Sequence, residues 1–169
     1  ADIGLAFDGD ADRCFVVDEQ GRPVSPSAVT ALVAARELSR ETGASVIHNL
    51  ITSRTVPEVI AEHGGIAVRS RVGHSYIKGL MAETGAIFGG EHSAHYYFRD
   101  NFYADSGLIA SMVVLEQLSR ADEPLSELRR PFDRYVDSGE INTRVGDPAA
   151  VIERVAGAYG GAQQDRLDG

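Results

Sequence analysis

Cysteine is almost absent from this chain of 169 residues: Cys14 stands alone, so no internal disulfide can form. That usage fits a reducing compartment such as the cytosol. Long apolar runs are also missing. None approaches the roughly 20 residues needed to span a bilayer, so no membrane partner is expected, and the first residues read as the lead-in to a strand rather than as a signal peptide. Nor is there a long basic block. Acidic residues outnumber Lys and Arg 25 to 16, the formal net charge is -9 and the pI is near 4.9, which argues against a nucleic-acid partner. An acidic protein that handles an anion has to concentrate its positive charge locally, so single Arg, Lys and His residues in loops are the places to look. The rest is ordinary for a globular chain, 43% hydrophobic and 24% charged, with length for one large domain or one domain with flanking pieces.

What is present begins at Asp8-Gly9-Asp10-Ala11-Asp12-Arg13, three carboxylates on alternate residues after the apolar run Ile3–Phe7. In a partly dry site they would repel one another unless a hard divalent cation, Mg²⁺ or Ca²⁺, cancelled the charge. The EF-hand spacing is met by Asp8, Asp10, Asp12 and Glu19, but its glycine position holds Arg13 and the flanks read as strands, so that reading is rejected. Beside three carboxylates and an ion, Arg13 can hold an anionic ligand that also touches the metal, and phosphate fits.

The pattern around this loop alternates. Strands are expected at Ile3–Phe7 and Cys14–Asp18, with a hairpin turn at Glu19–Arg22. A helix opening at Ser25-Pro26 should run to Glu41 with Val29, Leu32, Val33 and Leu38 on its inner face. Strand Ser45–Asn49, helix Thr55–His63, strand Ile66–Ser70, helix Ser75–Thr84 and strand Ala86–Gly89 follow, then Tyr96–Phe98. Asp105 is expected to cap a helix to about Ser119 with Leu108, Met112, Leu115 and Leu118 on one face, and Pro124–Arg130 to close the unit with a short helix. The alternation implies an α/β fold, a layered sheet with helices on its faces. After Pro131 the character changes: Tyr135–Val145 reads as an exposed strand and Pro148–Tyr159 as an amphipathic helix, too little to bury a core alone. Both ends are abrupt, and the chain is expected to be a portion of a longer protein.

Polar loops at 8–13, 71–75 and 90–95 each follow an expected strand, where α/β folds collect ligands. In Gly90-Glu91-His92-Ser93-Ala94-His95, Glu91 and Ser93 can exchange hydrogen bonds with vicinal sugar hydroxyls, though a plain polar turn reads the same way. Arg71-Val72-Gly73-His74-Ser75 precedes a helix carrying Lys78. His74 near a helix N-terminus, with Lys78 a turn later, can bind phosphate or shuttle protons. Arg54 opens another helix as a phosphate contact or a plain cap. His48 and His63 read as structural or exposed.

Together these segments resemble the α-D-phosphohexomutase family, in particular its bacterial phosphomannomutase/phosphoglucomutase branch. The resemblance covers essentially the whole chain, with the metal loop Asp8–Arg13, the Arg71–Lys78 segment and the sugar loop Gly90–His95 in the family's order. It implies four domains in the full protein, with the end of domain 2 at residues 1–23, domain 3 at 24–132 and the start of domain 4 at 133–169. By resemblance, Asp8, Asp10 and Asp12 coordinate Mg²⁺ together with a phosphoserine carried elsewhere, which Arg13 contacts. Glu91 and Ser93 grip sugar hydroxyls, His74 transfers a proton or touches ligand, and Lys78 and His95 make supporting contacts. His92 carries no role. The family usually has glycine where Ala94 stands, a difference that matters if the site needs a positive φ. The implied partners are phosphosugars: mannose or glucose phosphates and a hexose 1,6-bisphosphate. The implied reaction interconverts hexose 6-phosphate and hexose 1-phosphate, with the present portion inactive alone. The competing reading is a non-enzymatic module that binds a divalent cation or a sugar phosphate. A metal-dependent phosphatase, which would need a nucleophilic aspartate, fits the metal loop poorly.

Overall fold

The computed structural model describes residues 1–168. Two compact units divide the chain, Ala1–Tyr135 and Val136–Gly169. In the first, β1 (Ile3–Phe7) and β2 (Cys14–Asp18) form an antiparallel pair in full register, Phe7 opposite Cys14. The six residues of the acidic loop are therefore the whole connection. The short β3 (Pro23–Val24) completes a sheet of order β1-β2-β3. The turn between β2 and β3 closes on the buried Asp18 carboxylate, which accepts from the backbone N–H groups of Gln20 (3.0 Å) and Arg22 (2.9 Å). This is the local side-chain-to-backbone bonding that makes Asp a turn residue.

The second sheet is built from β4 (Ser45–Asn49), β5 (Ile66–Ser70), β6 (Phe88–Gly90) and β7 (Tyr96–Phe98), in the order β5-β4-β6-β7. β4 runs parallel to both neighbours and β7 antiparallel to β6. Successive residues of a strand face opposite sides, and the two sides of β4 go to different cores. Val46 joins α1 (Pro26–Arg40) and α2 (Thr55–Glu62), while Ile47 packs with Ile77 and Met81 of α3 (His74–Thr84) and with Tyr97. Helices thus cover both faces, the layered α/β architecture expected from the alternation. Val29, Leu32, Val33 and Leu38 are all buried on α1, as their spacing predicts. His48 is buried and bonded to Thr52, and His63 is an exposed helix end bonded to the Val59 carbonyl. Among the described residues no helix is long and apolar enough to cross a membrane.

Three expectations need correction. The helix α4 spans Gly107–Arg120, and its cap is Ser106, whose hydroxyl accepts from the Ile109 N–H at 3.2 Å, rather than Asp105. Its inner face is Gly107, Ala110, Ser111, Val113 and Val114, whereas Leu108 and Met112 are 56% and 66% exposed. Close approach decides this rotation: a Cβ on Gly107 would lie 2.4 Å from the Arg13 carbonyl oxygen. Only a glycine at this position can lie flush on the acidic loop, and the large Leu108 and Met112 side chains turn outward. The short helix α5 (Leu125–Leu128) then closes the unit. Third, Tyr135–Val145 is not a strand. Among the described residues no strand pairs with it, Val136 and Ile141 are exposed, and a lone strand has no ladder to hold it. In the second unit α6 (Pro148–Ala158) follows its pattern, with Asp147 accepting from the Ala150 N–H at 3.1 Å and Pro148 at the first position.

Candidate functional site

The parallel pairings bring the carboxyl ends of three strands to one edge: Asn49 of β4 lies opposite Ser70 of β5, and His48 opposite Gly90 of β6. Loops 71–75 and 90–95 leave from that edge. The acidic loop belongs to the other sheet, yet it reaches the same place. An isolated antiparallel bridge links Arg13 to His95, and the Cys14 N–H donates to the Ala94 carbonyl at 3.3 Å. From the far side, the Gly107 N–H at the start of α4 donates to the Ala11 carbonyl at 3.0 Å. The acidic loop is thus fixed by backbone on two sides.

Within it, one carboxylate oxygen from each of Asp8, Asp10 and Asp12 lies within 4.8 Å of the others. Ala11 turns the chain with φ of 58°, a left-handed conformation costly for a residue with a Cβ. Arg13 Nε donates to Asp8 Oδ2 at 2.6 Å, and its backbone N–H reaches Asp8 Oδ1 at 3.3 Å. The guanidinium holds the Asp8 carboxyl below its ordinary value. Burial, reinforced by the neighbouring Asp8 carboxylate, pushes the Asp12 carboxyl the other way. Among the described residues Asp12 Oδ1 is buried without a hydrogen-bond partner, Arg13 Nε standing 3.9 Å away. An orphaned acceptor beside two further carboxylates is a costly arrangement in a protein alone. It fits an oxygen-preferring divalent cation, so this set is able to hold Mg²⁺.

In the 90–95 loop, Ala94 has φ of 69°, so the position where the resemblance leads one to expect glycine does take a left-handed backbone. Its methyl is buried. Glu91 is buried with both carboxylate oxygens engaged: Tyr97 donates its hydroxyl at 2.6 Å and Asn49 its amide at 3.0 Å. Burial and the neighbouring Glu91 carboxylate push the Tyr97 hydroxyl far up, keeping it protonated as the donor. His95 lies between the two loops. Its Nδ1 is 2.9 Å from Ser93 Oγ and 3.8 Å from Glu91, and its Nε2 is 3.7 Å from Asp12. Lys78 reaches this group from α3 through a 2.7 Å ion pair with Asp105.

The structure therefore brings together Asp8, Asp10, Asp12, Arg13, Glu91, Ser93, His95 and Lys78. His74 is exposed at the first position of α3 and bonds to none of them. Arg54 lies over the Tyr135 ring at 5.8 Å and bonds to none of the cluster. His92, which carried no role, bonds through Nδ1 to the buried Ser27 hydroxyl at 2.8 Å and ties the 90–95 loop to the start of α1. Asn49 and Tyr97 were not picked out from the sequence, and Asp105 was picked out only as a helix cap. Asn49 had a usable signal, a polar residue ending an apolar parallel strand where ligands gather. Tyr97 had none inside an aromatic strand.

Residues 25–135 match the family model described as phosphoglucomutase/phosphomannomutase, alpha/beta/alpha domain III. The chain is 40% identical over 168 residues to a phosphomannomutase of Methanocaldococcus jannaschii, covering 99% of this chain and 37% of that protein. It is 42% identical over 172 residues to a phosphomannomutase of Salmonella montevideo, covering 100% and 38%. It therefore spans under two-fifths of the length of these relatives. A crystal structure of a phosphoglucomutase/phosphomannomutase family protein from Burkholderia thailandensis superposes with a TM-score of 0.75 at 38% identity, covering 80% of this chain and 30% of that one.

Proposed function

The chain belongs to the phosphoglucomutase/phosphomannomutase family, and from that premise we propose that it is the metal-loop and sugar-loop portion of a phosphohexomutase. The full-length enzyme would interconvert hexose 6-phosphate and hexose 1-phosphate, mannose or glucose, through a bound 1,6-bisphosphate and an enzyme phosphoserine outside this chain. Residues 1–23 would end domain 2, 24–132 form domain 3 and 133–169 begin domain 4, in a cytoplasmic protein. The observation that carries the reading is the backbone joint at Arg13 and His95, which fuses a three-carboxylate loop to a loop bearing Glu91 and Ser93. A phosphate held at one loop and a sugar held at the other would then be a fixed distance apart, which is what positioning catalysis requires.

Asp8, Asp10 and Asp12 would hold Mg²⁺, which when bound stabilises charge on phosphoryl oxygens. Arg13 would meet the phosphoserine, its guanidinium already oriented by Asp8 through Nε. Glu91 would accept from sugar hydroxyls. Each carboxylate oxygen has two lone pairs, so the bonds from Tyr97 and Asn49 fix the group and leave acceptor capacity. Ser93 would share the sugar, with His95 beside it as a supporting contact. Lys78 would face the substrate's anionic end, and His74 and Arg54 would meet ligand from the α3 and α2 starts.

The test is turnover of mannose 1-phosphate with a bisphosphate activator by the full-length protein, and its Asp10→Asn variant. Among the described residues no hydrogen bond or ion pair holds Asp10, so the variant should fold normally and lose at least about 100-fold in kcat. Unchanged turnover would refute the metal role. Tight Ca²⁺ binding with no response to Mg²⁺ in calorimetry would favour a non-enzymatic cation-binding module.

A further inference from the structure

Lys78 is the only lysine in the sequence; every other residue among the 16 Lys and Arg is arginine. Its ammonium is not left on the surface of α3. It forms a 2.7 Å ion pair with Asp105 Oδ1, and the Asp105 side chain is only 10% exposed. Asp105 sits just before the Ser106 cap of α4, bridged through its backbone to Tyr97. One carboxylate oxygen of Asp105 lies within 4.8 Å of ligand atoms of both Asp12 and His95. The ammonium also stands 5.7 Å from the centre of the Tyr97 ring, whose hydroxyl fixes Glu91.

We propose that Asp105 is a positioning residue: it draws the ammonium of Lys78 across from α3 and holds it at the seam between the metal loop and the sugar loop. A compact ammonium with rotatable donors suits this crowded point better than the planar fork of arginine. Asp105 is placed for the task by rigid neighbours. Tyr97 fixes its backbone, and the start of α4 next to it is packed on Arg13 through Gly107. Without Asp105 a four-carbon stem with 39% of its side chain exposed would range over solvent. The same pair bears on metal placement. Asp12, His95 and Asp105 have the spacing of a cation site, but the Lys78 ammonium already supplies the positive charge to Asp105. In the acidic loop Arg13 Nε meets Asp8 at 2.6 Å and stands 3.9 Å from Asp12, so Asp10 is the carboxylate of that set that no ion pair holds among the described residues.

The functional part of this proposal rests on the phosphohexomutase reading, so its test has one arm that depends on turnover and one that does not. In the full-length protein, kcat/KM is measured for Lys78→Ala, Asp105→Asn and the double variant. Each single change should cost about 10- to 100-fold, and the double variant should be no worse than Lys78→Ala, because Asp105 acts through the lysine. If Asp105→Asn does not fold, Asp105→Glu takes its place in the cycle, with a loss of about threefold expected from the displaced carboxylate. Multiplying effects, or an Asp105 variant as active as wild type, would overturn the proposal. Independently of turnover, acetic anhydride labelling followed by mass spectrometry should modify Lys78 at least about threefold faster in Asp105→Asn, once the ammonium is released. An unchanged labelling rate would overturn the tether. If the wild-type enzyme proves inactive, the functional reading fails and the labelling ratio alone judges the tether.

Discussion

Replacing Gly107 with alanine strikes the joint between α4 and the acidic loop. The new methyl would lie 2.4 Å from the Arg13 carbonyl oxygen, 2.5 Å from its carbon and 3.0 Å from the Ala11 carbonyl oxygen. All three are backbone atoms, so no side chain can rotate away. To restore even the tightest ordinary contact, α4 has to retreat by at least about 0.6 Å. That movement stretches the 3.0 Å hydrogen bond from the Gly107 N–H to Ala11. Overpacking of this kind costs about 1–3 kcal/mol and a weakened hydrogen bond about 1 more, against a gain of under 1 from removing a glycine near a helix start. The net expectation is a loss of about 2 kcal/mol, a fall in Tm of roughly 6–10 °C for a unit of this size. Because Ala11 and Arg13 flank the carboxylates, Mg²⁺ affinity measured by calorimetry should weaken as well. Gly9→Ala is the control. It changes a glycine of the acidic loop itself with nothing within 4 Å of the added methyl, and should alter Tm by no more than about 2 °C. If Gly107→Ala melts with the wild type, or if Gly9→Ala is equally harmful, the close-approach argument is wrong.

Two further outcomes follow from buried charge. Tyr97→Phe removes the 2.6 Å hydrogen bond to the buried Glu91 carboxylate and should cost about 2 kcal/mol in urea unfolding; a loss below about 0.5 kcal/mol would mean the bond does not hold Glu91 in place. Burial pushes the Asp18 carboxyl up, but the N–H groups of Arg22 and Gln20 and the Arg22 guanidinium outweigh it and hold it below its ordinary value. A carboxyl lowered on folding contributes stability above its unfolded pKa, about 4, and loses it as pH falls through the folded value. The urea midpoint of wild type should therefore converge on that of Asp18→Asn below about pH 4, and parallel curves from pH 6 to 3 would count against the assignment.

Local residue pattern was enough to outline most of the fold. β1, β2, β4, β5 and β7 have the bounds expected from their residue pattern, and α1 buries the row its spacing predicts. The failures had a common cause. Leu108 and Met112 suggested the inner face of α4, but the helix rotates so that Gly107, Ala110 and Ser111 meet their neighbours. Tyr135–Val145 alternates like a strand and pairs with none. In both, the deciding term was a contact with something distant in sequence, which periodicity does not contain.

The candidate site divides along the same line. The carboxylates at positions 8, 10 and 12, the adjoining Arg13 and the Glu91-x-Ser93 spacing lie within single loops, so sequence alone determined that a three-carboxylate loop and a second polar loop exist. Tertiary structure decided that they form one site. The Arg13–His95 bridge spans two sheets, the Asn49 and Tyr97 bonds to Glu91 cross strands, and Lys78 meets Asp105 between two helices. It also made Ala94 adopt a positive φ despite its methyl. Loop chemistry is local and legible in order along the chain; charge pairing and backbone docking act through space, between residues that only folding brings within a few ångströms.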